Sequence, residues 1–290
     1  MKPPSSGKVF SFSAFLKIIR PINLLIVAFA QLMTAYFLVE TTQEGAPVLT
    51  DPNLYLLILS TVLLAGSGYM INDYYDVKID YINKPNEVVI GKNIKRRTVM
   101  FLHSLMNITG IFMGCVLSLK VGAIHFLAAF LLWFYSNSLK RLPFVGNFTV
   151  AFLTGLAIYM VGFYYQAAQL LVGTYAIFAF FINLIREIIK DIEDRNGDRK
   201  HGSQTLPIVL GFRATKNVIF LIAGLFVISI ALVTFKLHNE LLFYYFGGLS
   251  ILFFLFMYKI YMADRKAHFT QLSFLSKLLM LTGIMSMGFL

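Results

Sequence analysis

Nine apolar segments, each near the roughly 20 residues needed to cross a hydrocarbon core, recur along this 290-residue chain. They lie at about 22–39, 53–71, 99–119, 121–137, 146–166, 170–187, 216–236, 241–262 and 272–290. Very short links join the third to the fourth (around Lys120–Gly122) and the fifth to the sixth (around Ala167–Gln169), which predicts adjacent antiparallel helices. With 58% hydrophobic residues the composition excludes a soluble globular domain. The expected fold is all-α: a polytopic membrane protein forming one domain over 1–290. No cleavable leader is expected, because the first apolar segment follows Lys17, Arg20 and Pro21, is long enough to span, and has no small-residue cleavage pattern behind it.

The basic residues test the span count. With nine spans and the N-terminus in the cytoplasm, the tail, the loops after spans two, four, six and eight, and the span ends beside them hold 23 of the 25 Lys and Arg. Only Lys120 and Lys236 fall on the other side. That is the positive-inside pattern in strong form, and one missed helix would scramble it. The net charge of +11 therefore reads as topology and contact with anionic headgroups, with some of it free for an anionic substrate. A nucleic-acid partner is not expected. The arrangement places a tail (1–17) and two long loops (72–98 and 187–215) in the cytoplasm, and the protein in the plasma or inner membrane. Cys115, alone in an apolar run, is expected to be a small buried hydrophobe.

Two acidic clusters stand out in a chain with only 13% charged residues. INDYYDVKID holds Asn72, Asp73, Asp76 and Asp80, and REIIKDIEDRNGD holds Glu187, Asp191, Glu193, Asp194 and Asp198. A carboxylate at mid-bilayer costs roughly 2.5–3.5 kcal/mol, so such a cluster is read as a site. On a helix Asn72, Asp76 and Asp80 form one stripe, with Asp73 pointing elsewhere as a cap or solvated acid. Asn183, Glu187, Asp191, Asp194 and Asp198 form another, provided the helix continues past Gly197. Facing each other, two such stripes would make an oxygen-lined cup. Hard oxygen donors suit Mg²⁺, which a few carboxylates plus substrate phosphates usually hold. Lys78, Lys84, Lys92, Lys95, Arg96 and Arg97 flank the first cluster, and Arg186, Lys190, Arg195 and Arg199 the second. Metal plus basic side chains is the usual way to bind a diphosphate.

Other chemistries fit less well. Aligning Gly197 to the glycine of a calcium loop puts Ile192 first and Ser203 last, so an EF-hand fails. The five His are scattered without metal spacing, and neither a Ser-His-Asp set nor a P-loop is evident. A CDP-alcohol phosphotransferase would need AR and G spacings that are missing. A transporter using the acids as cation ligands stays open as a reading from another class. Tyr74, Tyr75, Tyr135, Phe163 and Tyr164 are candidates to line a prenyl tunnel or to face a carbocation, against a plain packing role.

NDYYDVKID matches the NDxxDxxxD signature of the UbiA superfamily of intramembrane prenyltransferases, and REIIKDIEDRNGD followed by HGSQTLP resembles its second aspartate-rich motif. IRPIN before the first span, YSNSLKR at the end of the fourth and the nine-span count are similar too. The second motif resembles most the branch that adds a geranylgeranyl group to geranylgeranylglyceryl phosphate. The resemblance implies helices around a central cavity with aspartate-rich cytoplasmic loops. It also implies Mg²⁺-dependent transfer of a prenyl group from a prenyl diphosphate to a lipophilic acceptor. Asn72, Asp76, Asp80, Asp191, Asp194 and Asp198 would hold the metal, with Asp76, Asp80, Asp194, Asp198, Lys140 and Tyr135 as the catalytic set. Arg20, Asn23, Lys84, Lys140, Lys190 and Arg96 would meet the diphosphate. One departure concerns the acceptor: after the first motif the family shows N-R-P-x-R-P-I, and here Asn83-Lys84-Pro85-Asn86-Glu87-Val88-Val89 stands. Either Lys92 or Arg96 compensates for Glu87, or the acceptor differs. Quinone and pigment precursors (hydroxybenzoate, naphthoate, porphyrin) are the alternatives, and the oligomeric state is not legible.

Overall fold

The computed structural model describes residues 10–40 and 47–290. Residues 1–9 of the expected cytoplasmic tail lie outside the described residues. In chain order the helices are α1 (Phe12–Ile19), α2 (Pro21–Met33, continued to Val39 as a π-helical turn), α3 (Pro52–Asn83), α4 (Arg96–Leu117) and α5 (Leu119–Asn137). There follow α6 (Val145–Tyr165), α7 (Gln169–Lys200), the short α8 (Leu206–Val209), α9 (Phe212–Leu237), α10 (Glu240–Met262) and α11 (Lys266–Met285). Among the described residues nine helical segments are long and apolar enough to cross a membrane. They coincide with the nine expected spans to within a few residues, except where helices run on. The chain is a multi-pass membrane protein.

The differences lie in the expected loops. Helix α3 carries through residues 72–83 and α7 through 187–200, so both motifs are helical; α4 takes up 96–98 and α9 takes up 212–215, and only 84–95 and 201–211 are non-helical or in short helix. In α7 the helix continues past Gly197, which is buried, and ends where the His201 amide bonds back to the Asp198 carbonyl at 3.1 Å. A helical backbone satisfies its own amides, so each motif emerges from the apolar span without an exposed turn. Cys115 is exposed on α4, contrary to expectation. In a membrane helix the outward face meets lipid, so an apolar residue there has no need of burial.

Local signals set the helix ends. Asp51 caps α3 by accepting from the Asn53 amide at 2.9 Å, with Pro52 in the first turn where its missing N–H is harmless. Ser118 is extended, ends α4 and caps α5 through the Val121 amide at 3.1 Å, so a single residue turns the chain. Between α6 and α7, Gln166 and Ala168 both take left-handed backbone, giving the expected tight reversal.

The chain, expected as one domain over 1–290, divides into two compact units, Met1–Phe29 with Asp51–Lys140, and Ala30–Thr50 with Arg141–Leu290. In the first, α3, α4 and α5 pack on one another and α1 lies on α3. Its core joins Ile18, Met70 and Val99 to Ile90 and Ile94, so the link after α3 folds back onto the helices. In the second, α7 is the hub and packs against α6, α8, α9 and α11. Burial separates the helices by role. In the most apolar window 61% of α3 and 56% of α7 are buried, against 22% for α4, α9 and α10. The two helices that carry the acidic motifs are thus the spans with the most buried apolar windows.

Candidate active site

In the first unit the acidic motif occupies the last three turns of α3. Asn72, Asp76 and Asp80 share one face, as their spacing of four predicts, and all three are half-buried. Lys140, which follows α5, forms an ion pair and a hydrogen bond with Asp76 Oδ1, and the two side chains are only 11% and 16% exposed. Such a pair withstands burial because each charge neutralises the other. Tyr135, also half-buried, lies on α5 five residues before Lys140. The Asn72 Oδ1 is buried without a hydrogen-bond partner.

Arg20 sits at the left-handed break between α1 and α2. It donates to Asp73 Oδ1 at 2.6 Å and lies 4.9 Å from the Tyr69 ring centre. Asp73, expected as a cap or a solvated acid, is therefore the anchor for Arg20. Asn23 is half-buried in the first turn of α2, and Lys84 terminates α3 with its amide on the Asp80 carbonyl at 2.7 Å. Arg96 stacks over Tyr74 at 4.3 Å and Lys92 over Tyr81 at 4.9 Å. The face of Tyr74 is thus occupied by a cation from its own unit, and Glu87 is exposed. Lys78 is exposed as well.

In the second unit the acidic motif lies on α7. Asn183, Glu187, Asp191, Asp194 and Asp198 fall within an arc of about 80° at 100° per residue. Not all of them play one role. Asn183 is tied to Thr154 at 2.9 Å, and the buried Glu187 accepts from Arg186 at 2.6 Å and from Lys190 at 3.5 Å. Glu193, off the stripe, accepts from Thr270 at 2.8 Å and joins α7 to α11. Asp191, Asp194 and Asp198 remain as the half-buried acids of the stripe. Asp191 has Asp198, Glu187 and Lys190 as electrostatic neighbours. It also accepts from Asn147 Nδ2 of α6 at 2.8 Å. Asn147 was not a sequence candidate, although a lone amide early in an apolar segment is a legible signal.

Among the described residues no three Asp, Glu, His or Cys side chains come together as a ready metal cage. The donors present are nevertheless all oxygen, and the orphaned Asn72 Oδ1, one turn before Asp76, is an acceptor with nothing to accept from. That fits a hard divalent cation completed by waters and phosphate oxygens rather than by protein alone.

Residues 24–278 match the UbiA prenyltransferase family. The digeranylgeranylglyceryl phosphate synthase of Thermococcus gammatolerans is 35% identical over 212 residues, covering 71% of this chain and 72% of its own. The synthase of the same name from Methanosphaera stadtmanae is 34% identical over 236 residues, covering 80% and 78%. Among solved structures, a UbiA homologue from Aeropyrum pernix superposes with a TM-score of 0.71 at 14% identity, covering 91% of this chain and 97% of that one. One from Archaeoglobus fulgidus, solved with GPP and Mg²⁺, gives 0.65 at 16% identity, covering 95% and 99%. The fold is therefore the one those structures share. With the two acidic stripes set on the two spans with the most buried apolar windows, this chain belongs to the UbiA prenyltransferase family.

Proposed function

We propose that this enzyme transfers a geranylgeranyl-like prenyl group from its diphosphate to geranylgeranylglyceryl phosphate, with Mg²⁺ as cofactor. The observation that carries the reading is the largely buried Lys140–Asp76 pair, in which a cation following α5 meets a carboxylate of the first motif where the apolar part of α3 ends. The choice of acceptor is supported by the curated relatives, named digeranylgeranylglyceryl phosphate synthases and 34–35% identical in the two cases above. The A. fulgidus homologue bound to GPP and Mg²⁺ supports both donor class and metal. We assign Asn72, Asp76 and Asp80, with Asp191, Asp194 and Asp198, as the residues that hold Mg²⁺ on the diphosphate. When bound, the ion would withdraw charge from the leaving diphosphate and so favour breaking of the allylic C–O bond. Lys140 meets the same charge from the protein side. Its pairing with Asp76 holds the ammonium in place, so little reorganisation is needed as negative charge develops. Arg20, anchored by Asp73, is positioned for a phosphate oxygen, while Lys190 braces Glu187. The acceptor oxygen bonds to the allylic carbon as the C–O bond to diphosphate breaks, diphosphate leaves, and the hydroxyl proton passes to the released diphosphate or to an aspartate of the motifs. The active site and N-terminus face the cytoplasm of the cell membrane in this reading, in line with the bias of Lys and Arg to one side.

Purified protein supplied with Mg²⁺, prenyl diphosphates of graded length and an acceptor panel is the direct test. Mass spectrometry is expected to show a second geranylgeranyl ether on geranylgeranylglyceryl phosphate. Products on hydroxybenzoate or naphthoate instead would assign the aromatic alternative. Lys140→Met is expected to lower kcat/KM for the donor by about 100-fold. Steady-state kinetics with the donor varied at saturating acceptor measures it.

A further inference from the structure

The second stripe includes an amide that neither aspartate motif contains. Asn147, near the start of α6, is only 6% exposed. Its Nδ2 donates to Asp191 Oδ2 at 2.8 Å, and its Oδ1 is buried with no hydrogen-bond partner. Turning the amide over does not relieve this, because it would set Oδ1 against a carboxylate oxygen, acceptor against acceptor. Asp191 therefore dictates which way the orphaned oxygen points. A buried acceptor without a donor costs about 1–3 kcal/mol, and a Leu of similar size at this position would escape that cost. If joining α6 to α7 were its whole task, the Nδ2 bond would suffice and Oδ1 would be idle.

What this oxygen can accept is limited by its neighbours. Asp191 has two further carboxylates, Asp198 and Glu187, within electrostatic reach. An acceptor beside an acidic stripe repels a phosphate oxygen and attracts a cation or the water bound to one. The first unit offers the same combination, with Asn72 Oδ1 buried and unpartnered one turn before Asp76. We propose that Asn147 is a positioning residue for Asp191 and that its Oδ1 joins the divalent-cation shell of the second motif, as the counterpart of Asn72 in the first. The inference rests on the metal–diphosphate reading above. The amide steers one carboxylate oxygen by hydrogen bonding and leaves the other to the ion, which is how outer-shell partners usually orient metal ligands.

The test is binding rather than turnover alone. Full-length protein in detergent is titrated with Mn²⁺ in the presence of inorganic pyrophosphate, and free Mn²⁺ is read by electron paramagnetic resonance. Asn147→Leu is expected to weaken Mn²⁺ binding about 10–100-fold. The Mg²⁺ concentration for half-maximal transfer should rise by the same factor, with kcat at saturating Mg²⁺ falling much less. Asn147→Asp, which supplies an oxygen to the ion but loses the donor to Asp191, should recover part of the affinity. Asn147→Ser carries the same expectation as Leu should the Leu variant fail to fold. Unchanged Mn²⁺ affinity in Leu or Ser, or equal loss in Leu and Asp, overturns the role of Asn147. A wild-type protein with no Mn²⁺ site under these conditions overturns the metal reading itself, so the two failures are distinguishable.

Discussion

Asp76→Ala is expected to abolish prenyl transfer, with kcat/KM down by at least about 1,000-fold. Two losses combine at this residue. Asp76 is the central acid of the first stripe, and it neutralises Lys140, whose side chain is 11% exposed. Removing one partner of a buried pair leaves the other charge stranded, commonly at a cost of about 3–5 kcal/mol. The Ala variant therefore mixes a chemical defect with a folding defect. Asp76→Asn separates them: its amide oxygen still accepts from Lys140, while the negative charge is lost. The Asn variant should unfold at a higher temperature than the Ala variant, because Lys140 keeps its hydrogen bond, and still lose most activity. Asp194→Ala, on α7, should be as inactive, because each stripe is assigned part of the same diphosphate's metal. Transfer retained in both Ala variants, assayed with Mg²⁺ and a prenyl diphosphate, would refute the site.

The second large effect is on stability. A Cβ added at Gly155 would stand 2.7 Å from the Ala176 carbonyl oxygen and 3.5 Å from Phe180 Cβ. The first neighbour is backbone of α7 and has no rotamer to change. Gly155→Val should force α6 off α7 and cost on the order of 3 kcal/mol. Helix–helix packing without a hydrophobic driving force depends on such close approach, so little else can compensate. Since α6 carries Asn147 and α7 carries Asp191, activity should fall along with stability. Gly224→Ala on α9 is the matched control, because nothing lies within 4 Å of its added Cβ. Thermal unfolding in detergent should show a large drop for the first and almost none for the second. Equal behaviour of the two would contradict the α6–α7 contact.

Much of this architecture is legible in the chain. Apolar runs of membrane length mark the spans, because hydrocarbon sorts residues by composition and a helix is the local way to satisfy the backbone. The four-residue spacing of Asn72, Asp76 and Asp80 marks a stripe, because helical period is a local property. The expected loops at 72–98 and 187–215 were drawn too early for the same reason in reverse. Charged residues end an apolar run, but they do not end a helix, and α3 and α7 each continue for more than a turn beyond the run.

The helices, the spans, the register of the two acidic stripes and the family are thus all written in local pattern. Tertiary structure alone decided which side chain serves which. Asp76 and Lys140 are 64 residues apart, Arg20 and Asp73 are 53, and Asn147 and Asp191 are 44. No periodicity within one helix encodes such pairings, since they depend on which helices pack and at what rotation. The same packing ties Glu187 to Arg186 and Lys190, Glu193 to Thr270, and Asp191 to Asn147. A carboxylate's partners are set by the helix beside it, and that helix is chosen by the shape of apolar surfaces that a linear pattern does not record.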